Sequence, residues 1–581
     1  MSDFLYFKLK KKEKLKKKAF LGTWTNNFLN KRENLQSVFI NYESYENYNK
    51  QEIEIKKVKK FSKKILTQLS KKLNNLNNMN WNFKSWNYIL MPFLETYVAI
   101  IFDRIQMAKA LKKNSKIDKK AIYQLGKNSL LISNDYKEFT SNISEVTWNK
   151  KLVSKIYYLL QNKKYLNNLD LFYKKKIKKK FYKKKYIIYS IKNSFLKIFE
   201  RILCGRDKFF FYLGFGNIFS FIYLNLKLRQ FPFFYAYNFM NEFVAKYNAN
   251  LRVRRNLKIN FHQLNFEEKI VCKLLPEIFP TIYLEGLKKQ ISLVDKSFLP
   301  KTKKIIITKS IFKDNLFKFW TANNLSNGSK IVFIQHGSGY GYKRSFQNED
   351  YEIDASHKFL SWGWKKNKKV IPLGNFSLSQ KKNFPIQQKK RLLIILGLRN
   401  FFKIQNNLFS HNDLLEQINN INYLLSNINY SHFEKVSVKD HPTSLKKTSL
   451  KIPNTDKNKV VFEKLDKNLN ELYNDYSLVI TTYDSTEFYN LIARDKPCLQ
   501  ILSKKLIKKQ YIRQFKEMYK YGILHDDANS LIKQLQKIQN NPYKWWSNRL
   551  LSKKRKVFCN HFIKTDINST MLLKTLNNIK L

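Results

Sequence analysis

An apolar run, KIVFI (330–334), ends in Gln335 and His336, and Gly337, Gly339 and Gly341 follow with Tyr340 between the last two. An imidazole at the end of a strand is neutral near pH 7 and can take a proton from an acceptor hydroxyl. Glycines lack a Cβ, so the loop can bring its backbone close to a ligand. The density is unusual in a chain with 14 glycines among 581 residues. The alternative is a core histidine beside an ordinary glycine turn. Gln335 and Tyr340 flank His336 and are the acceptor-side candidates.

Three further segments could handle phosphate. In SLVITTYDSTEF (477–488) an apolar run leads into Thr481, Thr482, Asp484, Ser485 and Thr486, then into a short helical pattern carrying Glu487. Hydroxyls beside the free N–H groups of a helix start make a phosphate cradle, though the same residues can also serve as a plain N-cap. In KVSVKDHPTS (435–444), Lys439 and His441 could donate to a phosphate and Pro442 fixes the turn. In LGLRNF (396–401), Arg399 follows a strand-like run and could clamp a phosphate with two parallel hydrogen bonds, or simply sit on the surface. No GxxxxGK[ST], GxGxxG, HExxH, kinase set or GxSxG stands in a suitable context, which argues against a Walker ATPase, a typical dinucleotide dehydrogenase, a zincin and an α/β-hydrolase.

The elements that must position these residues can be read from pattern. From about residue 300, short apolar runs at 304–309, 330–337, 358–364, 369–375, 391–398, 435–442, 459–465, 477–484 and 497–502 alternate with helical segments. The latter lie at 311–325, 411–428, 466–476, 486–493 and 528–539. Such alternation predicts βαβ units and parallel sheets, which bind ligands beyond the carboxyl ends of their strands. The polar stretch at 378–390 predicts a boundary between two halves. Residues 25–170 read mainly as helix. The longest piece is Asn80 to Lys113, interrupted only by Pro92, and Lys17 to Trp24 reads as one short buried strand. Phe209 to Leu226 is uncharged and just long enough to span a bilayer. Its Asn217, Ser220, Asn225 and two glycines favour a buried or interfacial segment instead.

Composition sets the outer bounds. Hydrophobic residues make up 43% of the chain, enough for packed cores, and the formal net charge is +67. Lys, Asn, Ile, Phe and Tyr share A/T-only codons and are all abundant, so base composition accounts for much of that charge. The surface still attracts anions. The most basic run, Lys174 to Lys185, has Phe and Tyr interleaved and is either a solvated face or a contact for an anionic membrane leaflet. Cys204, Cys272, Cys498 and Cys559 form no CxxC pair and no zinc spacing, so no metal site is expected, and a reducing compartment is. The basic N-terminus lacks the apolar core of a secretory signal. A nucleic-acid binder driven by charge alone is a rival reading, and the absence of a recognisable nucleic-acid module counts against it.

In order, these motifs resemble the transferases encoded in O-antigen and other surface-carbohydrate loci. The resemblance runs from FLGTW (20–24) through SWNYILMPFLETYVAIIFDR (85–104), TWN (147–149), FPTIYLEG (279–286), IQHGSGYG (334–341), FLSWGW (359–364) and IPLGN (371–375). It ends with TTYDSTEF (481–488), YGILHD (521–526) and Trp545–Trp546. That family is similar to capsule Kdo transferases, CMP-sialic-acid-using transferases and teichoic-acid glycerophosphotransferases. The resemblance implies an α/β fold of GT-B type: two Rossmann-like parallel-sheet domains facing a cleft, with a largely helical N-terminal region. The expected division is an acceptor domain at 1–377 with a helical insertion at about 25–230, a nucleotide-donor domain at 378–545 and a helical tail at 546–581.

The implied activity is metal-independent, cofactor-free transfer of a sugar or related group from a nucleotide-activated donor, CMP- or CDP-linked, to a saccharide or lipid-linked acceptor. The setting would be the cytoplasm, at the inner face of the membrane. The resemblance assigns donor phosphate to His441, Ser485 and Thr486 and the reaction centre to His336. Arg399, Lys439, Thr482 and Glu487 would complete the donor side. Two positions depart from the family's pattern: Asn490 stands where relatives tend to have Glu, and His357 where they tend to have an acid. Either change fits an altered donor or a binding scaffold without activity.

Overall fold

The computed structural model describes residues 6–8, 18–21, 37–40, 48–127, 131–162, 209–212, 218–230, 246–295, 299, 304–309, 314–344, 346–397, 411–441 and 460–579. Among these are fourteen strands in three sheets. A small sheet joins β1 (Tyr6–Lys8), β2 (Lys18–Leu21) and β3 (Ser37–Ile40). The first large sheet is parallel throughout. Its order is β4 (Phe209–Tyr212), β5 (Ile305–Thr308), β6 (Lys330–Ile334), β7 (Lys358–Ser361) and β8 (Val370–Pro372). The second holds β9 (Arg391–Ile395), β10 (Lys435–Lys439), β11 (Val460–Phe462), β12 (Leu478–Thr481), β13 (Cys498–Ile501) and β14 (Leu524–His525). Its order is β11-β10-β9-β12-β13-β14, again parallel.

The central strands are continuous apolar runs because both faces are covered. All four residues of β5 (IIIT) and of β12 (LVIT) are buried. Every strand and helix expected between 304 and 539 is present, most of the strands one to three residues shorter than the apolar run that announced them. The segment at 209–226 is not one element: Phe209–Tyr212 forms β4, paired in register with β5, and a helix follows at 218–227. An aromatic strand beside the Ile-rich β5 buries more apolar area than an interfacial segment would. No helix among the described residues is long and apolar enough to cross a membrane.

Of the helices, those used below are α1 (Tyr48–Asn77), α2 (Phe83–Lys113), α3 (Ile218–Lys227), α4 (Gln347–Ala355), α5 (Thr486–Ala493) and α6 (Arg549–Phe562). Helix α2 is buried over most of its length and packs against α1, α4 and the helix at 315–326. Asn82 caps it by accepting from Ser85 N. Its one irregularity, Pro92, has a use. A proline has no N–H, so the carbonyl four residues earlier loses its helical partner. That carbonyl belongs to Tyr88, and the Tyr351 hydroxyl of α4 donates to it at 2.7 Å. The proline thus pins α4 to the long helix.

The second sheet contains a reversal of strand order. Strand β9 has β10 on one side and β12 on the other, so the chain order reverses at β9 and a crevice opens beyond the carboxyl ends of β9, β10 and β12. The chain then returns to the first sheet. Lys564 N donates to Trp362 O and Asn375 N to Lys564 O, both at 2.7 Å, and Ile567, Leu572 and Leu576 join the core under β4 and β5. The two parallel-sheet units face each other across a cleft, a GT-B arrangement.

Candidate functional site

A cavity of about 230 Å³ lies between the two sheets. Lys309, Gln335, His336, Trp362 and Asn375 line it from the first unit and Lys381 from the link between the units; Asn470, Thr486, Glu487 and Asn490 line it from the second. Each group sits where a strand ends: Lys309 directly after β5, His336 two residues after β6, and Thr486 at the start of α5 beyond β12.

His336 supplies the imidazole of the first wall. Its side chain keeps 28% of its surface open. The Tyr340 hydroxyl lies 3.1 Å from Nδ1 and 3.5 Å from Nε2, and it donates to Glu352 Oε2 at 2.8 Å. With its proton given to Glu352, the tyrosine oxygen accepts from Nδ1–H of the nearer ring nitrogen. That leaves Nε2 as the basic nitrogen of a ring lining the cavity. Burial pulls the imidazole down to about 4, and Lys309 acts in the same direction. Burial pushes the Glu352 carboxyl up to about 8; the Tyr340 hydrogen bond opposes this and Glu349 reinforces it. Glu352 is fully buried, and its second oxygen, Oε1, makes no hydrogen bond. His336 and Glu352 are therefore both neutral near pH 7, and their 3.7 Å approach is not an ion pair. The arrangement is a neutral base held by a tyrosine that a protonated acid holds in turn.

Neither Glu349 nor Glu352 of α4 was singled out from the sequence. The signal was present: Glu349 and Glu352 are three apart in a helical segment just after the glycine loop, hence on one face. Glu349 is also buried; Gly341 N donates to it at 2.6 Å and Lys366 pairs with it at 2.9 Å.

The glycine loop is used differently from the expected ligand cradle. It stitches the two units together. Ser338 N donates to Thr486 Oγ1 at 3.1 Å, Tyr342 OH to Asp484 Oδ1 at 2.5 Å, and Lys508 N to Tyr342 O at 2.8 Å. Gly339 and Gly341 have positive φ, and a Cβ on Gly341 would sit 2.6 Å from the Trp364 ring. A Cβ on Gly337 would stand 3.1 Å from Thr486 Oγ1. The glycines serve this close approach, which fixes His336 opposite α5.

The other sequence candidates distribute as follows. Gln335 lines the cavity, but its amide is committed: Oε1 accepts from Trp362 N and Trp364 Nε1, and Nε2 donates to Gly337 O. Thr482 is buried with its hydroxyl on Ile395 O. Ser485 is fully buried and caps α5 by accepting from Glu487 N. Thr486 and Glu487 reach the cavity, and Tyr473 OH donates to Glu487 at 2.6 Å. Lys439 is buried and donates to the carbonyls of Lys464 and Lys467. His441 lies beyond β10, its N–H on Asp440 Oδ1. Asn490 lines the cavity nine-tenths buried, and its Oδ1 has no partner among the described residues. His357 precedes β7, at the edge of the sheet away from the cavity. Arg399, Pro442 and the basic run 174–185 lie outside the described residues.

A family model described as LIC12162 family transferase matches residues 7–576. Among curated proteins none matches the sequence. Similar solved structures include spinosyn rhamnosyltransferase SpnG with spinosyn aglycone (11% identity, 51% of this chain and 77% of that one, TM-score 0.29). Others are the wall teichoic acid polymerase TagF (11%, 68% and 97%, TM-score 0.29) and UDP-GlcNAc 2-epimerase from Neisseria meningitidis (12%, 55% and 84%, TM-score 0.32). These likenesses are loose, and the fold stands on the two parallel sheets themselves.

Proposed function

The chain belongs to the LIC12162 family of transferases, and on that premise we propose that it moves a sugar or related group from a nucleotide-activated donor to a saccharide or lipid-linked acceptor. The pathway is surface-polysaccharide synthesis, of O-antigen or capsule, and the donor is CMP- or CDP-linked. One observation carries the reading: a neutral histidine just beyond the end of β6 and the start of α5, with Thr486, line the same open cavity from opposite walls. His336 Nε2 takes the acceptor hydroxyl's proton as that oxygen attacks the transferred carbon. The N–H groups at the start of α5 and the Thr486 hydroxyl stabilise the departing phosphate with donors already in place. His441, just beyond the carboxyl end of β10 where the strand order reverses, joins the donor side, and Arg399 is a donor-side candidate from its sequence position alone. The unpartnered Asn490 Oδ1 takes a hydroxyl or amino donor from the donor molecule, where a glutamate would take two.

A thermal-shift panel of CMP, CDP, UDP, GDP and ADP tests the donor. A nucleotide at a hundred times its Kd stabilises the folded state by about 2.7 kcal/mol. A shift selective for cytidine nucleotides and lost in Thr486→Val is expected. A shift selective for another base would overturn the cytidine assignment, and no shift at all would overturn the donor site.

The reading places the protein at a membrane face. Helix α3 supports this: Ile218, Phe219 and Leu226 are 57%, 78% and 63% exposed, with Lys227 and Arg229 beside them. Apolar wedges flanked by cations suit an anionic lipid surface. Co-sedimentation with phosphatidylserine-containing vesicles should fall in Phe219→Glu. Equal sedimentation of the variant would remove α3 from the contact.

A further inference from the structure

We propose that Lys309 and Lys381 form an anion site on the His336 wall of the cavity, and that it holds a phosphate or carboxylate carried by the acceptor. The proposal rests on the transferase reading and deepens it by naming the acceptor's chemistry.

The argument begins with ion pairs. The lysines grouped around the glycine loop all have carboxylate partners: Lys366 and Lys508 on Glu349, Lys343 on Asp484. Lys309 and Lys381 line the cavity, and among the described residues neither makes an ion pair or a side-chain hydrogen bond. They also repel one another: burial and the neighbouring Lys381 both lower the Lys309 pKa. A half-buried ammonium facing a second ammonium costs stability unless something else occupies the site. The cavity's one carboxylate, Glu487, belongs to the opposite wall and is held by Tyr473 and Asn490.

Position then decides which reactant supplies the anion. The donor's leaving phosphate belongs with the α5 start on the second unit. Lys309 belongs to the first unit, directly after β5, and Lys381 to the link that leaves that unit nine residues after β8, both lining the cavity beside His336. Lys309 is near enough to His336 to act on its imidazole. The group beside a general base is the molecule whose hydroxyl it deprotonates. The anion near His336 is therefore the acceptor's, and an acceptor without one should be a poor substrate.

Isothermal titration with full-length protein, using glucose 6-phosphate and glucose as probes and CDP as the donor-side control, tests this. Wild-type protein should bind glucose 6-phosphate in a salt-sensitive way and glucose at least tenfold more weakly. Lys381→Met changes an exposed side chain and should fold normally; it and Lys309→Met should each weaken glucose 6-phosphate at least tenfold and leave CDP unchanged, while Lys309→Arg retains binding. Unchanged glucose 6-phosphate affinity in Lys381→Met and Lys309→Met would overturn the site. An equal loss of CDP affinity would assign the lysines to donor phosphate and overturn the acceptor assignment. Failure of CDP to bind any form would strike the transferase reading alone, because the sugar-phosphate arm is read independently.

Discussion

Replacing His336 with alanine is expected to lower kcat for transfer by about 10²–10⁴-fold, the usual worth of a positioned base, with CDP affinity nearly unchanged. The expectation follows from what the side chain touches. Its one hydrogen-bonded neighbour is Tyr340, and the rest of the ring lines the cavity. Its removal takes the proton acceptor away and leaves the Thr486 side of the cleft intact. A low pKa also fixes the pH dependence. An imidazole pulled down to about 4 is neutral through the whole physiological range, so His336 should impose no acid limb on kcat/KM between pH 5.5 and 7. A wild-type limb near pH 6.5 that vanishes in His336→Ala would contradict the buried, neutral base. A variant within a few-fold of wild type would end the assignment.

Most of the fold and part of the candidate site were legible in the sequence, and the division has a physical basis. Parallel strands covered on both faces are continuous apolar runs, so β5, β6, β9 and β12 announce themselves. Strand β4 did not, because four aromatic residues followed by an apolar helix read as one long uncharged segment. The strand-end residues His336 and Thr486 were legible because the residues around them are unusual. Glu352 was not, because its significance depends on a contact between elements. A glutamate in a polar-looking helix reads as solvated, and only the docking of α4 against β6, β7 and α2 buries it. Pro92 contributes to the contact with α2, because its missing N–H frees the Tyr88 carbonyl for Tyr351. In sequence the proline is only a helix interruption. Ser485 and Lys439 show the converse. Their types suggest phosphate binding, yet one caps a helix and the other is occupied by two carbonyls.

Glu352→Gln and Glu352→Ala are expected to separate sharply. A protonated glutamic acid and a glutamine are near-isosteric and equally neutral, so Gln keeps an acceptor for the Tyr340 hydroxyl, and kcat should stay within a few-fold of wild type at pH 7. Alanine leaves that buried hydroxyl without a partner and opens a void, at a combined cost of about 3–5 kcal/mol. It also releases the tyrosine that orients His336, so kcat falls as well. Tyr340→Phe should reproduce the kcat loss with KM unchanged, since it removes the hydroxyl that links the imidazole to Glu352 and leaves the aromatic ring in place. The charge argument has its own readout. The folded carboxyl titrates near 8 against an ordinary 4.5. Between those values the native state holds a proton that the unfolded chain has released, and stability falls as pH rises. His336, lowered from 6.5 to about 4, contributes the opposite slope below 6.5. From pH 6.5 to 8 the difference between wild type and Glu352→Gln isolates the carboxyl, because the buried Lys318 and Lys496, both pulled down to about 8 by burial, are common to the two proteins. Wild-type protein should lose stability across it, and Glu352→Gln should lose less. Parallel stability curves for the two proteins over that interval would mean that Glu352 is already ionised in the fold. The chain that holds His336 would then be a charge relay rather than a neutral clamp.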